Sequence, residues 1–228
     1  MSKLLLFYRK IIGLRHYSVN LDYIRTPFGE PFNQDNHWVK TLEEYDYGLR
    51  DYKKSTLYNF HQGFQPTNIF SLINDNDIFK NNFFLGEYPW GRWAQKTKRE
   101  DWEKGSHCGP TTDENIKKEW DNFIYLYNKM QAEGLKLKKY GLPLGCFLID
   151  ENKEKYFIVT GGNHRMAIIS HLKLSQNIAV KAIARENIKQ FTYFDRIKIK
   201  HCRSGLDMQK TKRLFKYLIS TEFTTYEN

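Results

Sequence analysis

The run Gly161-Gly162-Asn163-His164-Arg165 gathers, within five positions, the residue types that hold a phosphate. Two adjacent glycines permit positive backbone angles and leave no side chain between the main-chain N–H groups and an anion. They follow the apolar stretch YFIVT and precede NHRMAIISHLKL, so the expected arrangement is a strand, a turn and a helix that starts at the ligand. The free N–H groups and positive dipole end of that helix suit a phosphate, while Arg165 adds a bidentate grip and His164 a further donor. Asn163 is placed to cap the helix or to reach a metal-bound water. Double glycines also serve ordinary tight turns, so the neighbouring elements must carry part of the argument.

If the phosphate is transferred, the acceptor hydroxyl needs a base, the phosphates need a divalent cation, and the moving group needs cationic or N–H donors. Glu87, at the end of FFLGE, and His164 are the catalytic candidates, with Arg92 and His107 on the substrate side. Each has an ordinary alternative. Glu87 fits a strand-end surface acid, Arg92 a stack on Trp90 or Trp93, and His107 a turn made by Gly105, Gly109 and Pro110. Lys96, Lys98 and Arg99 read as a solvated basic cluster.

The elements that must position these residues are readable from periodicity. Thr112 or Asp113 caps a helix over about Glu114 to Glu133, stopped by Gly134, whose apolar members Ile116, Trp120, Phe123, Ile124, Tyr127 and Met130 recur at three and four residues. LGCFLID reads as a strand, ENKEK as a charged hairpin turn, YFIVT as a strand and NIAVKAIA as another. Before this unit, residues 17–56 read as irregular with one short helix near Val39 to Tyr45. A turn follows at Gly63 to Pro66, then a short helix over Thr67 to Ile73 and a strand over Phe83 to Tyr88. An amphipathic helix is expected over Asp207 to Ile219.

This order of helix, strand, hairpin, strand, GGNHRMA, helix and strand resembles the ParB/sulfiredoxin superfamily over roughly Glu114 to Ala184. GGNHRMA is similar to the sulfiredoxin motif GGCHR, with Asn163 where that enzyme keeps its catalytic cysteine. Asparagine has no thiolate, so the resemblance does not bring sulfiredoxin chemistry with it. The turn also resembles the GHHR-like turn of the superfamily's free serine kinases and the box of ParB that contacts CTP phosphates. The resemblance implies an α/β (α+β) fold with a small mixed sheet, and phosphate binding by Gly161, Gly162, Asn163, His164 and Arg165. The placement of Glu87 resembles that of a glutamate in the early strand-and-loop region of those kinases.

The whole chain agrees with one α/β unit elaborated at both ends. Its 228 residues suffice for a real core. The expected division is a 1–80 extension wrapping the core, a nucleotide-binding domain over 81–187 and a helical extension over 188–228. A net charge of +10 favours anionic partners but does not choose among nucleotides, nucleic acid and acidic surfaces. Three cysteines without CxxC spacing point to a reducing compartment, with the cytoplasm as default, and the pairs His107–Cys108 and His201–Cys202 lack zinc-site spacing. No metal site is therefore assigned to side chains. No apolar run is long enough to span a membrane; residues 2–15 mix apolar and basic positions as an interfacial helix does, although docking on the protein's own core is the preferred reading.

The expected function is that of a nucleotide-binding protein using magnesium with ATP or another nucleoside triphosphate or diphosphate. It would act as a kinase on a small-molecule hydroxyl, an amino acid or a sugar. A ParB-like DNA-binding or nuclease module ranks behind it, because no helix-turn-helix follows Ala184 and no carboxylate cluster is visible. A non-catalytic nucleotide-binding protein is the third reading.

Overall fold

The computed structural model describes residues 14–65, 109, 111–149, 154–183, 213 and 216–220. They form a mixed α/β fold. In chain order the elements are β1 (Leu14–Asn20), β2 (Ile24–Arg25), α1 (His37–Asp46), α2 (Thr56–Gly63), α3 (Asp113–Glu133), α4 (Leu137–Tyr140), β3 (Leu144–Ile149), β4 (Lys155–Gly161), α5 (Asn163–His171) and β5 (Asn177–Ile183). The five strands make one sheet in the order β1-β5-β3-β4-β2. The pairs β1–β5 and β3–β4 are antiparallel, and β3–β5 and β2–β4 are parallel.

The helix expected after Thr112 forms as its pattern requires. The Thr112 hydroxyl accepts from the Asn115 N–H at 3.2 Å, Gly134 ends the helix at a φ of +71°, and Ile116, Trp120, Phe123, Ile124, Tyr127 and Met130 are all buried. Helix α1 is longer than the segment expected near Val39. Asn36 begins it two residues earlier, its side chain accepting from the N–H groups of Trp38 and Val39, so that His37 and Trp38 enter the core. Ser55 caps α2 in the same way through Tyr58 N–H, and Gly63, expected in a turn, is the last residue of that helix.

Two expectations are corrected at the start of the chain. The end of the apolar and basic segment, Leu14 and Arg15, lies in strand β1 and pairs with Ile183 and Ala182, so it is not helical. Residues 17–56, read as irregular apart from the short helix near Val39 to Tyr45, also include most of β1 and all of β2. The misreading has a physical cause: among the described strands β1 lies at the edge, with His16, Tyr17 and Ser18 exposed, so it carries neither a buried apolar run nor strict alternation. The segments 67–73 and 83–88 lie outside the described residues. Of the helix expected over 207–219, Arg213 and residues 216–219 are described and helical.

Helices α1, α3 and α5 pack together, and their buried faces meet β4 and β5 in one core that includes Trp38, Leu42, Phe123, Tyr127, Phe157, Val159, Met166, Ile169 and Val180. Next to the glycine pair, the register of β3 against β4 slips by one residue. Leu144 faces Gly161 but Gly145 faces Val159, which leaves Thr160 as the extra residue of a bulge. A bulge bends its strand and ends regular pairing, and here it turns the chain out of the sheet into α5.

Candidate functional site

Gly162 is the N-cap of α5, with φ +99° and ψ +23°, and it makes no side-chain cap because it has no side chain. The first intrahelical bond runs from Met166 N–H to Gly162 O at 3.0 Å. The N–H groups of Asn163, His164 and Arg165 therefore have no partner among the described residues and converge at the helix end. Asn163 is thus the first helical residue and not the cap. It is 2% exposed, and neither its side-chain oxygen nor its nitrogen has a hydrogen-bond partner.

Arg165 folds back across the turn. Its Nη1 donates to Gly141 O at 2.7 Å and also to Tyr140 O, joining the first turn of α5 to the α4–β3 connection. A Cβ on Gly162 would meet Arg165 Nη2 at 2.5 Å, and one on Gly141, at φ +76°, would meet Nη1 at 3.1 Å. At Gly162 only glycine leaves room for the guanidinium in this pose, and at Gly141 a methyl group would crowd it. Burial lowers the Arg165 pKa from its ordinary value, although a guanidinium stays charged at any physiological pH. One nitrogen of the expected phosphate grip is thus committed to the protein, and Nε and Nη2 have no partner among the described residues.

The ring of His164 is held in the helix layer. Its Nε2 lies 2.9 Å from Glu119 Oε1, and its ring packs on Phe123 with centroids 4.8 Å apart and edge-on to Trp38 at 5.6 Å. Glu119 also accepts from Trp38 Nε1 at 3.1 Å and from His61 Nε2 at 3.0 Å. Burial by itself would raise the Glu119 pKa, but the hydrogen bonds from His164 and His61 and their charge outweigh it and hold the carboxyl well below its ordinary range. An ionised carboxylate only accepts hydrogen bonds, so both histidines present Nε2–H to it. His164 consequently carries its lone pair on Nδ1 when neutral. That nitrogen makes no hydrogen bond among the described residues, and the side chain is 27% exposed.

The reading of single residues in the sequence did not find Glu119 or His61. The available signal was an acid on the apolar side of α3, three residues after Ile116 and four before Phe123, where a charge needs a partner. A second carboxylate repeats the arrangement two turns away. Asp46 accepts from Tyr127 Oη at 2.8 Å and from His171 Nε2 at 2.8 Å, so α1, α3 and α5 are tied at both levels. A further pair, buried on both sides, joins His37 Nδ1 to Glu30 Oε2 at 2.9 Å, with the His37 ring stacked on Phe60 at 3.6 Å.

Gly161, Gly162, Asn163, His164 and Arg165 are thus brought to one helix end, whereas Glu87, Arg92 and His107 lie outside the described residues. Among the described residues no group of His, Cys, Asp and Glu is arranged to hold a metal ion. Glu119, the carboxylate bonded to His164, already receives three donors, so it does not fit a magnesium ligand. No helix among the described residues is long and apolar enough to cross a membrane. Comparison of the chain with known protein families, with curated proteins and with solved structures finds no match.

Proposed function

We propose that the chain binds a nucleotide through the Gly161–Arg165 turn, in the manner of the ParB/sulfiredoxin superfamily, and transfers its terminal phosphoryl group to a small-molecule hydroxyl. The observation that carries this reading is the uncapped start of α5. Three main-chain N–H groups without partners among the described residues, the positive end of a helix and the Nε and Nη2 edge of the Arg165 guanidinium meet at one place, a combination that favours a multiply charged oxyanion.

His164 supports transfer over binding alone. A histidine whose one nitrogen is fixed by a part-buried carboxylate, and whose other nitrogen has no partner among the described residues, is equipped to handle a proton or a phosphoryl group. Magnesium would arrive as part of the nucleotide complex, since the described side chains offer it no seat. Glu87 stays a candidate base, with Arg92 and His107 as candidate acceptor contacts.

Thermal denaturation with and without Mg·ATP, Mg·ADP and inorganic phosphate tests the binding. Stabilisation that grows with ligand concentration is expected, about 2.7 kcal/mol at a hundred times Kd. Arg165→Ala should weaken it. Unchanged melting with every nucleotide removes the proposal. ATP consumption with pools of amino acids and sugars then identifies the acceptor class, while retention on DNA that falls steeply with salt and ignores nucleotide favours the DNA-binding reading instead.

A further inference from the structure

We propose that His164 is the nucleophile of a covalent step: its Nδ1 takes the terminal phosphoryl group of a nucleoside triphosphate, and the protein passes through a phosphohistidine. This rests on the reading that the Gly161–Arg165 turn holds nucleotide phosphates, and it specifies what the same site does with them.

The geometry separates the two ring nitrogens by role. Nε2 is held by Glu119 Oε1 at 2.9 Å, which leaves the lone pair on Nδ1. Nδ1 is bonded to Cγ and so stays close to the main chain of His164 itself, whose N–H is the middle one of the three groups at the helix start that have no partner among the described residues. The proposed step sets a phosphoryl group on Nδ1 beside these donors, which suit its oxygens. Contact with Phe123 and Trp38 limits rotation of the ring, and Trp38 Nε1 and His61 Nε2 fix the carboxylate that fixes the ring. His61 is 1% exposed and cannot serve in the same way, because its Nδ1 is buried. Only His164 of the two combines the carboxylate with access to solvent.

In the step itself, the Nδ1 lone pair attacks the γ-phosphorus, the N–P bond forms, and the bond from that phosphorus to the bridging oxygen of the nucleoside diphosphate breaks. Nε2 keeps its proton. The imidazole becomes cationic, and the ionised Glu119 balances that charge from the far side of the ring. Attack by an acceptor hydroxyl on the phosphorus breaks the N–P bond, returns the electron pair to Nδ1 and releases the hydroxyl proton to water. Glu119 is a positioning residue here, since it acts through the ring and not on the phosphate.

The test is incubation of the full chain with γ-labelled Mg·ATP without an acceptor, followed by mapping of the label and by measurement of isotope exchange between ADP and ATP. Acid-labile, base-stable label on His164 and exchange in the absence of acceptor are expected. His164→Gln, which keeps an amide donor for Glu119, should lose both. Glu119→Gln should slow labelling about a hundred-fold and change its pH profile. If ATP stabilises the wild-type chain but neither label nor exchange appears, the covalent step is overturned and the binding reading survives. Label at another residue, with His164→Gln unaffected, also overturns it. If ATP gives neither stabilisation nor label, both readings fall.

Discussion

The guanidinium of Arg165 lies across Gly162 so closely that a methyl group on that glycine would meet Nη2 at 2.5 Å. The left-handed backbone at Gly162 and the pose of Arg165 are therefore one feature: the glycine gives the chain its turn and gives the cation its place beside the helix end.

Gly162→Ala should lower stability by about 1–3 kcal/mol, the range for a non-glycine residue held in such a conformation. It should also weaken nucleotide binding by displacing Arg165. In an Arg165→Ala background the steric part disappears while the backbone part remains. The two substitutions should then cost less together than the sum of their separate costs, and urea denaturation of all four proteins measures the difference. Strict additivity would show that the close approach carries no energy.

Removing the carboxylate of Glu119 leaves Trp38 Nε1, His61 Nε2 and His164 Nε2 without their common acceptor. Glu119→Ala is expected to cost about 3–5 kcal/mol, as breaking a buried pair from one side does. Glu119→Gln keeps an oxygen acceptor and should cost about 1–3 kcal/mol. Equal, small losses in both would mean that the cluster is solvated in solution.

Acid should reveal the same group. Glu119 is held well below its ordinary range in the folded chain, so in the unfolded chain it binds a proton at higher pH. Its contribution is fully present above the unfolded value, about 4.3, and is lost as pH falls from there through the folded value. Urea denaturation between neutral and strongly acid pH should show the wild-type chain losing stability over that window more steeply than Glu119→Gln. Parallel curves would contradict the assignment.

At the other end of the helix layer, burial and then the hydrogen bond to Asp46 push the Tyr127 hydroxyl well above its ordinary value. The contribution of this neutral phenol is present below about pH 10, the unfolded value, and is lost as pH rises towards the folded one. Asp46→Asn should flatten the alkaline loss and cost about 1–3 kcal/mol at neutral pH by weakening the acceptor of Tyr127 and His171. Ultraviolet titration of the tyrosines, with Tyr127→Phe as control, follows the late-ionising group directly.

Two glycines should respond very differently to the same methyl group. At Gly134 nothing lies within 4 Å of the added carbon and only the φ of +71° resists, so Gly134→Ala should cost about 1 kcal/mol. At Gly145 the carbon would meet Ile158 O at 2.1 Å and the Phe157 ring at 2.7 Å. Gly145→Ala must open the β3–β4 pair and should cost about 3 kcal/mol or more. Comparable melting temperatures for the two variants would refute this ordering.

What was legible in the sequence follows from how local each signal is. Helix α3 announces itself through a cap, an apolar stripe and a terminal glycine within 23 residues, and the strand, turn and helix around Gly162 lie within 17. Edge strand β1 has no such local mark, because its pairing partner is β5, more than 150 residues away. The site divides along the same line. The turn supplies its own N–H groups and Arg165, whereas the partner of His164 comes from a helix 45 residues earlier and that of Glu119 from another 58 residues before it. A distant side-chain pairing leaves only an indirect trace in one sequence, here an acid on the apolar side of α3.

Both outer strands of the sheet come from residues 14–25, while the three strands between them come from residues 144–183. During synthesis β1 and β2 leave the ribosome as orphans, with open edges and no sheet to join, and they stay so until most of the remaining described chain has emerged. Such long-range closure is slow, because loop entropy is lost before any contact rewards it. In pulsed hydrogen exchange during refolding, the amides of α3 should be protected early and those of the β1–β5 ladder last. The first of the described strands to be translated is thus the one whose place in the sheet is fixed at the end.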